Sequence, residues 1–189
     1  MTSIYFVRHA QPDSTIADDR TRPLTDEGRK DSEKVTAHLI NKNIHCLISS
    51  PYQRSMDTIR GLAEVLQITI HTEEDFRERA IGIGYLGDSQ QYIRNMWADV
   101  HFKAQGAESL AEVRERNMRT LKRVLEEHQG KNIVIGTHGT ALSSILSYYN
   151  PNFAVEDFFR LLKYRPYIIR LDFRGDSCLG MTEELLIEK

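Results

Sequence analysis

The chain of 189 residues has a formal net charge of −2 and is 40% hydrophobic, which is typical of one globular domain, here 1–189. This charge excludes a general basic field for nucleic acid, and no apolar run reaches the ~20 residues of a membrane span. We therefore expect neither nucleic acid nor a membrane as a partner.

Apolar periodicity and capping residues predict strands that alternate with helices. In chain order, the expected elements are a strand at 4–7, a loop at 12–23, a helix from 25 to near 41–43, a strand at 44–49, a helix at 51–66, a short strand at 68–70, a charged segment at 72–79, a glycine-rich loop at 81–87, a helix within 88–102, a long helix from 109 to near 130, a strand at 133–135, a helix at 141–149, a strand at 167–173, a turn at 174–176 and a final strand.

Local residue chemistry marks the helix starts in this pattern. Ser50–Gln53 and Ser109–Glu112 both match a capping box, and Thr25 is expected to be an N-cap. Gly28 lowers the helix propensity of its segment, which indicates close packing at that point.

The alternation of elements predicts an α/β fold with a mainly parallel sheet, and the late hairpin-like segment predicts an antiparallel edge. Met1 leads almost directly into the first strand, which leaves no room for a signal peptide. Cys46 and Cys178 are far apart in the sequence. We therefore expect a cytoplasmic protein with reduced thiols, and the oligomeric state is left open.

Basic side chains follow three of the predicted strands. Arg8 and His9 end the first strand, Arg54 lies on the helix after the second, and His138 follows the fourth. Parallel topology brings these strand ends to one edge of the sheet, where α/β proteins bind ligands. Guanidinium groups bind phosphate oxygens, and an imidazole is nucleophilic near neutral pH. The pattern therefore favours phosphoryl transfer through a histidine.

Each of these residues also has a plainer interpretation. Arg54 lies off the apolar stripe of its helix, as a solvated arginine would, and His138 could be a loop histidine bonded to backbone. Gly136 and Gly139 weaken the second alternative because glycines let the backbone approach a ligand. Zinc is a rival for the paired histidines, but no HxH or HExxH occurs, so no metal site is predicted.

Six segments in order resemble the motifs of the histidine phosphatase superfamily, and together they cover nearly the whole chain. They are Arg8–Gln11 for Arg-His-Gly-Glu, Leu24–Gly28 for Leu-Thr-x-x-Gly, Ser49–Thr58 for Ser-Ser-Pro-x-x-Arg-x-x-x-Thr, Phe76–Gly82 for Leu-x-Glu-x-x-x-Gly, Gly106–Ser109 for Gly-Gly-Glu-Ser, and Thr137–Gly139 for the second histidine motif. The resemblance implies the three-layer α/β/α fold of the phosphoglycerate mutases, with a mostly parallel central sheet and an antiparallel edge strand.

The resemblance also implies the roles of the site residues. His9 would be phosphorylated, while Arg8, Arg54 and His138 would hold the phosphoryl oxygens. Glu78 would protonate the leaving alkoxide and then act as the base for water. These roles suit phosphoryl transfer, which depends mostly on positioning and charge stabilisation.

Several residues depart from the family pattern or compete with it. The carboxylates at 73–75 are nearby alternatives to Glu78 as the acid. Ala10 stands where the family has glycine, so its φ should be negative. Gln11 and Thr15 replace a common glutamate and a common asparagine and receive no role. The glycine-rich loop, with Gly82, Gly84 and Gly87, is expected to be a mobile lid.

The resulting interpretation is a metal-independent phosphatase, without a cofactor, that acts on a small phosphorylated metabolite. Three alternatives remain open: a phosphoglycerate mutase, a phosphatase for phosphohistidine in proteins, and a catalytically silent module that binds a phosphorylated ligand. An intact set of the five site residues argues against silence.

Overall fold

The fold was analysed in a computed structural model that describes residues 1–82 and 90–189. Six strands form one sheet: β1 (Thr2–Arg8), β2 (Ile44–Ser49), β3 (Ile70–Thr72), β4 (Asn132–Thr137), β5 (Tyr164–Arg174) and β6 (Ser177–Glu188). The helices are α1 (Asp26–Leu39), α2 (Gln53–Leu66), α3 (Gln90–Ala98), α4 (Leu110–Glu127), α5 (Gly139–Tyr149) and α6 (Val155–Leu162), with a short 3-10 helix at Glu74–Phe76.

The sheet has the order β3-β2-β4-β1-β5-β6. The first four strands of this order are parallel to one another. Strand β5 pairs antiparallel with β1, and β6 pairs antiparallel with β5. The prediction of a mostly parallel sheet with an antiparallel edge is confirmed, and the antiparallel part consists of two strands. The carboxyl ends of β1, β2 and β4 meet at one edge.

Alternation along β1 sends side chains into two cores on opposite faces of the sheet. Ile4 and Phe6 face the core covered by α4, α5 and α6, whereas Tyr5 and Val7 face the core covered by α1 and α2. The three-layer α/β/α arrangement expected from the sequence is therefore confirmed. Among residues 1–82 and 90–189, no helix is both long and apolar enough to cross a membrane.

Two of the three predicted helix caps are confirmed. The hydroxyl of Thr25 accepts from the backbone N–H of Gly28 at 3.0 Å, and Ser109 forms a reciprocal capping box with Glu112. The capping box predicted at Ser50 is wrong, because α2 begins at Gln53 and the Ser50 hydroxyl instead contacts Nε2 of His138.

The short third strand lies two residues later than predicted. Ile68 still belongs to the end of α2, since its N–H donates to the carbonyl of Ala63 at 3.1 Å, and Gln67 adopts a left-handed φ of 55°. The chain can pair with β2 only after this turn, so the strand begins at Ile70.

Helix α6 was not predicted, and α3 ends at Ala98, before the end of the segment 88–102 predicted to be helical. Phe158 and Leu161 are buried and lie three residues apart, which is a helical spacing. The carboxylate of Asp157 accepts from the N–H of Ala154 at 2.8 Å and so caps the start of the helix. The helix has only eight residues and begins four residues after Pro151, where the preceding helix was predicted to end. It was therefore not recognised as a separate helix.

Close packing at Gly28 is confirmed. A Cβ at this position would overlap the carbonyl oxygen of Gln11 and lie 3.1 Å from its nitrogen. The same carbonyl accepts from the N–H of Thr25 at 3.0 Å. The start of α1 is thus pressed against the segment that follows β1, where the site lies.

We expect Gly28→Ala to lower the free energy of unfolding by about 1–3 kcal/mol through overpacking, measured by urea denaturation. An unstrained Gly→Ala change inside a helix would instead stabilise by up to ~1 kcal/mol, so the sign is diagnostic. Gly180→Ala is the matched control, because a Cβ there meets nothing within 4 Å. A Gly28→Ala protein as stable as the original would contradict the packing described.

Candidate active site

His9 lies at the carboxyl end of β1 with 6% of its surface exposed. Its Nδ1 is 2.7 Å from the carbonyl oxygen of Ala10. A carbonyl can only accept, so Nδ1 carries the proton and Nε2 keeps its lone pair. An imidazole held in this tautomer is a nucleophile through Nε2.

The backbone after His9 is fixed by α2. The N–H of Ala10 donates to the hydroxyl of Thr58 at 3.0 Å, and that hydroxyl donates to the carbonyl of Arg54 at 2.7 Å. The expectation of a negative φ at Ala10 is confirmed, since Asn43 and Gln67 are the described non-glycine residues with positive φ. Thr58 therefore connects the segment that follows His9 to the helix that carries Arg54.

His138 is fully buried at the start of α5, and its ring centroid lies 5.2 Å from that of His9. Its Nε2 is 2.7 Å from the Ser50 hydroxyl, so the alternative of a histidine bonded to backbone is wrong. Ser50 also accepts from the N–H of Tyr52 at 3.2 Å and can donate its proton to Nε2. Nδ1 of His138 has no hydrogen-bond partner in the described parts of the chain, and it carries the proton when Ser50 donates to Nε2.

Arg8 and Arg54 are 2% and 4% exposed, so the alternative of a solvated Arg54 is also wrong. Arg8 donates to the carbonyls of Leu161 at 2.9 Å and Tyr164 at 2.8 Å. Arg54 donates to the carbonyl of Asp19 at 2.5 Å and pairs with its carboxylate at 3.1 Å. Asp19 belongs to the loop after β1, which therefore contributes to the site.

Burial and mutual repulsion set the protonation of these groups. Burial, followed by the charge of His138 and of Arg54, holds the pKa of His9 well below its usual value. Burial and Arg54 do the same for the pKa of His138. Burial and Arg165 lower the pKa of Arg8 to about 9. At neutral pH the site thus combines two neutral imidazoles with charged guanidinium groups, which suits an anion.

Glu78 lines the cavity that is also lined by His9, Arg8 and Arg54, and its carboxylate is held by the start of α5. Its carboxylate accepts from the backbone N–H groups of Thr140 at 3.1 Å, Ala141 at 3.3 Å and Arg79 at 2.8 Å. Donors at a helix N-terminus stabilise a negative group there. The structure thus brings all five predicted site residues together.

A buried ion pair holds the segment that carries Glu78. Arg116 donates to three backbone carbonyls within 75–78, at 2.6 to 3.2 Å. The same guanidinium pairs with both carboxylate oxygens of Glu108, at 2.8 and 2.9 Å. Glu108 in turn accepts from the N–H of Ala80 at 2.9 Å. Glu108 lies in a predicted motif, whereas Arg116 was missed because no local pattern distinguishes it.

The carboxylates at 73–75 are held in ion pairs instead. The pairs are Glu73 with Arg123, Glu74 with Arg20, and Asp75 with Arg119, at 2.7 to 2.8 Å. The hydrogen bond from Arg20 lowers the pKa of Glu74. Glu78 lines the cavity above His9 and these three carboxylates do not, so Glu78 is the better candidate for the acid.

The glycines around His138 serve packing. A Cβ at Gly136 would lie 2.8 Å from the Ser49 hydroxyl oxygen, and one at Gly139 would lie 3.0 Å from a Leu162 methyl carbon. The prediction that they allow a ligand to approach is wrong for Gly136, which lies against β2 and α2. Gly139 gives room to Leu162 beside Arg8.

A cavity of about 410 Å³ opens above His9. Its lining residues are Arg8, His9, Pro12, Ser14, Arg22, Arg54, Glu78, Arg79, Ile81, Ile93, Thr140, Phe158, Leu162 and Arg165. Gly84 and Gly87 of the predicted lid lie outside the described residues. Within 1–82 and 90–189, no cluster of three or more His, Cys, Asp or Glu residues could hold a metal ion.

We expect both histidines to be uncharged at pH 6, because burial among cations disfavours the imidazolium form. Nitrogen-15 NMR of the imidazole rings measures this directly, with the signals assigned through His9→Ala and His138→Ala. The His9 ring should also report the tautomer with the proton on Nδ1. A titration of either ring close to 6.5 would contradict the electrostatics described.

Comparison with known proteins places this geometry in context. The family model described as "Histidine phosphatase superfamily (branch 1)" matches residues 4–179. The chain is 24% identical over 155 residues to the uncharacterized phosphatase PhoE of Bacillus subtilis, covering 78% of this chain and 77% of the relative. It is 25% identical over 159 residues to a probable phosphoglycerate mutase GpmB of Yersinia pestis, covering 78% and 74%.

Solved structures share the fold. Phosphoserine phosphatase from Entamoeba histolytica in complex with 3-phosphoglyceric acid superposes with a TM-score of 0.79 and 18% identity, covering 98% of each chain. A mycobacterial glucosyl-3-phosphoglycerate phosphatase superposes with a TM-score of 0.73 and 15% identity, covering 99% of each chain.

Proposed function

This chain belongs to the histidine phosphatase superfamily, and we propose that it hydrolyses phosphate monoesters of small metabolites through a phosphohistidine at His9. The observation that carries the proposal is the hydrogen bond from His9 Nδ1 to Ala10, which leaves Nε2 free beside two buried arginines. A nucleophile next to cations is the arrangement that phosphoryl transfer requires.

In the first step, Nε2 of His9 attacks phosphorus and the bond from phosphorus to the ester oxygen breaks. The departing oxygen takes the electron pair and receives a proton from Glu78. Arg8, Arg54 and Nδ1–H of His138 donate to the three non-bridging oxygens. These donors are positioned before the substrate arrives, so little reorganisation is needed as charge develops.

In the second step, water attacks the phosphorus of the phosphohistidine. Glu78, now ionised, accepts a proton from that water, and the bond to His9 Nε2 breaks. Inorganic phosphate leaves, and His9 returns to the tautomer that Ala10 fixes. The same carboxyl group thus serves as acid and then as base, as reversal of proton transfer requires.

Small phosphorylated molecules are the substrate class that suits a cavity of about 410 Å³. Neighbours of the same fold were solved with phosphoserine and with 3-phosphoglyceric acid. A mutase would return the phosphoryl group from His9 to a second hydroxyl instead of to water. A silent binding module would not need the fixed tautomer of His9.

We expect a phosphoenzyme on His9. Rapid acid quench with a substrate labelled in its phosphoryl group should trap label that is acid-labile and base-stable. His9→Ala should abolish the label, and His101→Ala, which alters an exposed histidine, should leave it unchanged. The assay is run in EDTA, because the proposed chemistry uses no divalent metal. Label that persists in His9→Ala would contradict a phosphoenzyme on His9. Turnover that EDTA abolishes would contradict the metal-independent chemistry that we propose.

We expect Glu78→Gln to lose much more kcat on an alkyl phosphate than on nitrophenyl phosphate. A general acid contributes roughly 10²–10⁴-fold when the leaving oxygen needs a proton, and nitrophenolate does not need one. The glutamine oxygen can still accept from the N–H of Thr140, so the start of α5 stays held.

Arg54→Ala is the contrasting variant in the same assay. It removes a donor to the phosphoryl group that both esters share, so its loss should be similar on the two substrates. Equal losses in Glu78→Gln on both esters would mean that another group is the acid, and Glu73, Glu74 and Asp75 would then be tested.

A further inference from the structure

The cavity carries more positive charge than one phosphoryl group balances. Five arginines line it, namely Arg8, Arg22, Arg54, Arg79 and Arg165, and Glu78 is the one carboxylate among the described lining residues. Arg8 and Arg54 are committed to the phosphoryl group by the proposed function. Positive charge remains on the walls beyond that group.

These additional arginines are not equivalent. Arg22 pairs with the carboxylate of Asp19 at 3.1 Å and donates to the carbonyl of Ile16 at 2.9 Å. Arg79 lies over the ring of Tyr92, 5.5 Å from its centroid. Arg165 forms neither an ion pair nor a hydrogen bond with the described parts of the chain, and its Nε is buried.

Arg165 is the second residue of β5, and the start of this strand lies at the site. It follows Tyr164, whose carbonyl holds Arg8, and it interacts electrostatically with Arg8, Arg54 and Glu78. Burial and the charge of Arg54 lower the pKa of Arg165. A partly buried cation that lacks an ion pair and a hydrogen bond costs free energy, and an anion bound from outside lowers that cost.

We propose that Arg165 binds a second anionic group, a carboxylate or a second phosphate, on the leaving-group part of the substrate. Arg165 lies beside Glu78, and Glu78 protonates the leaving oxygen, so both face the leaving group. The three non-bridging phosphoryl oxygens already have donors in Arg8, Arg54 and His138. This inference rests on the proposed function for the position of the phosphoryl group.

The remaining wall fits a short carbon skeleton between the two anionic groups. Ile93 of α3 and Phe158 and Leu162 of α6 supply apolar surface to the cavity. Cavities that bind small molecules combine such apolar walls with a few charged groups that fix orientation. The substrate class is therefore a small phosphate monoester that carries a second acidic group.

Three esters with the same three-carbon leaving group test this directly: propyl phosphate, its analogue with a terminal carboxylate, and its analogue with a terminal second phosphate. We expect the original protein to turn over at least one acidic analogue with a kcat/KM roughly 10- to 100-fold above that of propyl phosphate, the effect of a charge-assisted hydrogen bond. The better of the two acidic analogues identifies the source of the second charge.

Arg165→Met removes the charge and keeps the length of the side chain. It should abolish the preference for the acidic analogues and change kcat/KM on propyl phosphate by less than roughly threefold. Arg165→Lys keeps the charge and should retain part of the preference. Arg174→Met, at the exposed far end of the same strand, is the matched control and should change nothing.

Binding of the three esters to His9→Ala, measured by calorimetry, separates the two proposals. If no ester is turned over but the acidic analogues bind more tightly and lose this advantage in a His9→Ala/Arg165→Met protein, the subsite stands and the proposed function fails. If propyl phosphate is preferred or equal in both assays, the subsite is wrong. An equal loss on all three esters in Arg165→Met would place Arg165 at the phosphoryl group and also overturn the inference.

Discussion

The hydrogen bond from His9 Nδ1 to the Ala10 carbonyl is the interaction on which the whole site depends. It leaves the lone pair on Nε2, and it lasts only while the backbone after His9 stays in place. Thr58 holds that backbone by bonding both the N–H of Ala10 and the carbonyl of Arg54. One hydroxyl therefore links the segment after His9 to α2 and to Arg54, so the chemistry that we propose depends on the packing of α2 on β1.

The two arginines beside His9 are held in different ways, because Arg54 pairs with the carboxylate of Asp19 whereas Arg8 is held by carbonyl groups. Arg8 is fixed by the carbonyls of Leu161 and Tyr164, which are dipoles, so its full charge stays available to a substrate. Arg116 lies just behind the site and is neutralised by Glu108, as a cation with a structural role should be. Arg8 and Arg116 thus differ in their partners, because carbonyl dipoles hold Arg8 and a carboxylate neutralises Arg116.

Much of the fold could be predicted because its signals are local. Buried strands show as apolar runs, the caps at Thr25 and Ser109 show as hydroxyl residues before acidic turns, and the residues that bear the chemistry follow strand ends. Arg116 and Arg165 could not be predicted, because their surroundings come from segments far away in the sequence. The role of Ser50 was concealed for the same reason: its hydroxyl matches a cap pattern locally but contacts a histidine 88 residues later.

The segment that runs from α6 into the start of β5 organises two parts of the cavity, although α6 was not predicted from the sequence. Its carbonyls at Leu161 and Tyr164 hold Arg8, and the next residue along the chain is Arg165. One short backbone segment therefore holds the guanidinium of Arg8 and also carries Arg165, which we propose to bind the second anionic group. Phe158 and Leu162 from the same segment line the space between. On our proposal, selection among phosphate esters thus resides in this segment, whereas the chemistry common to all of them resides at the ends of β1 and β4.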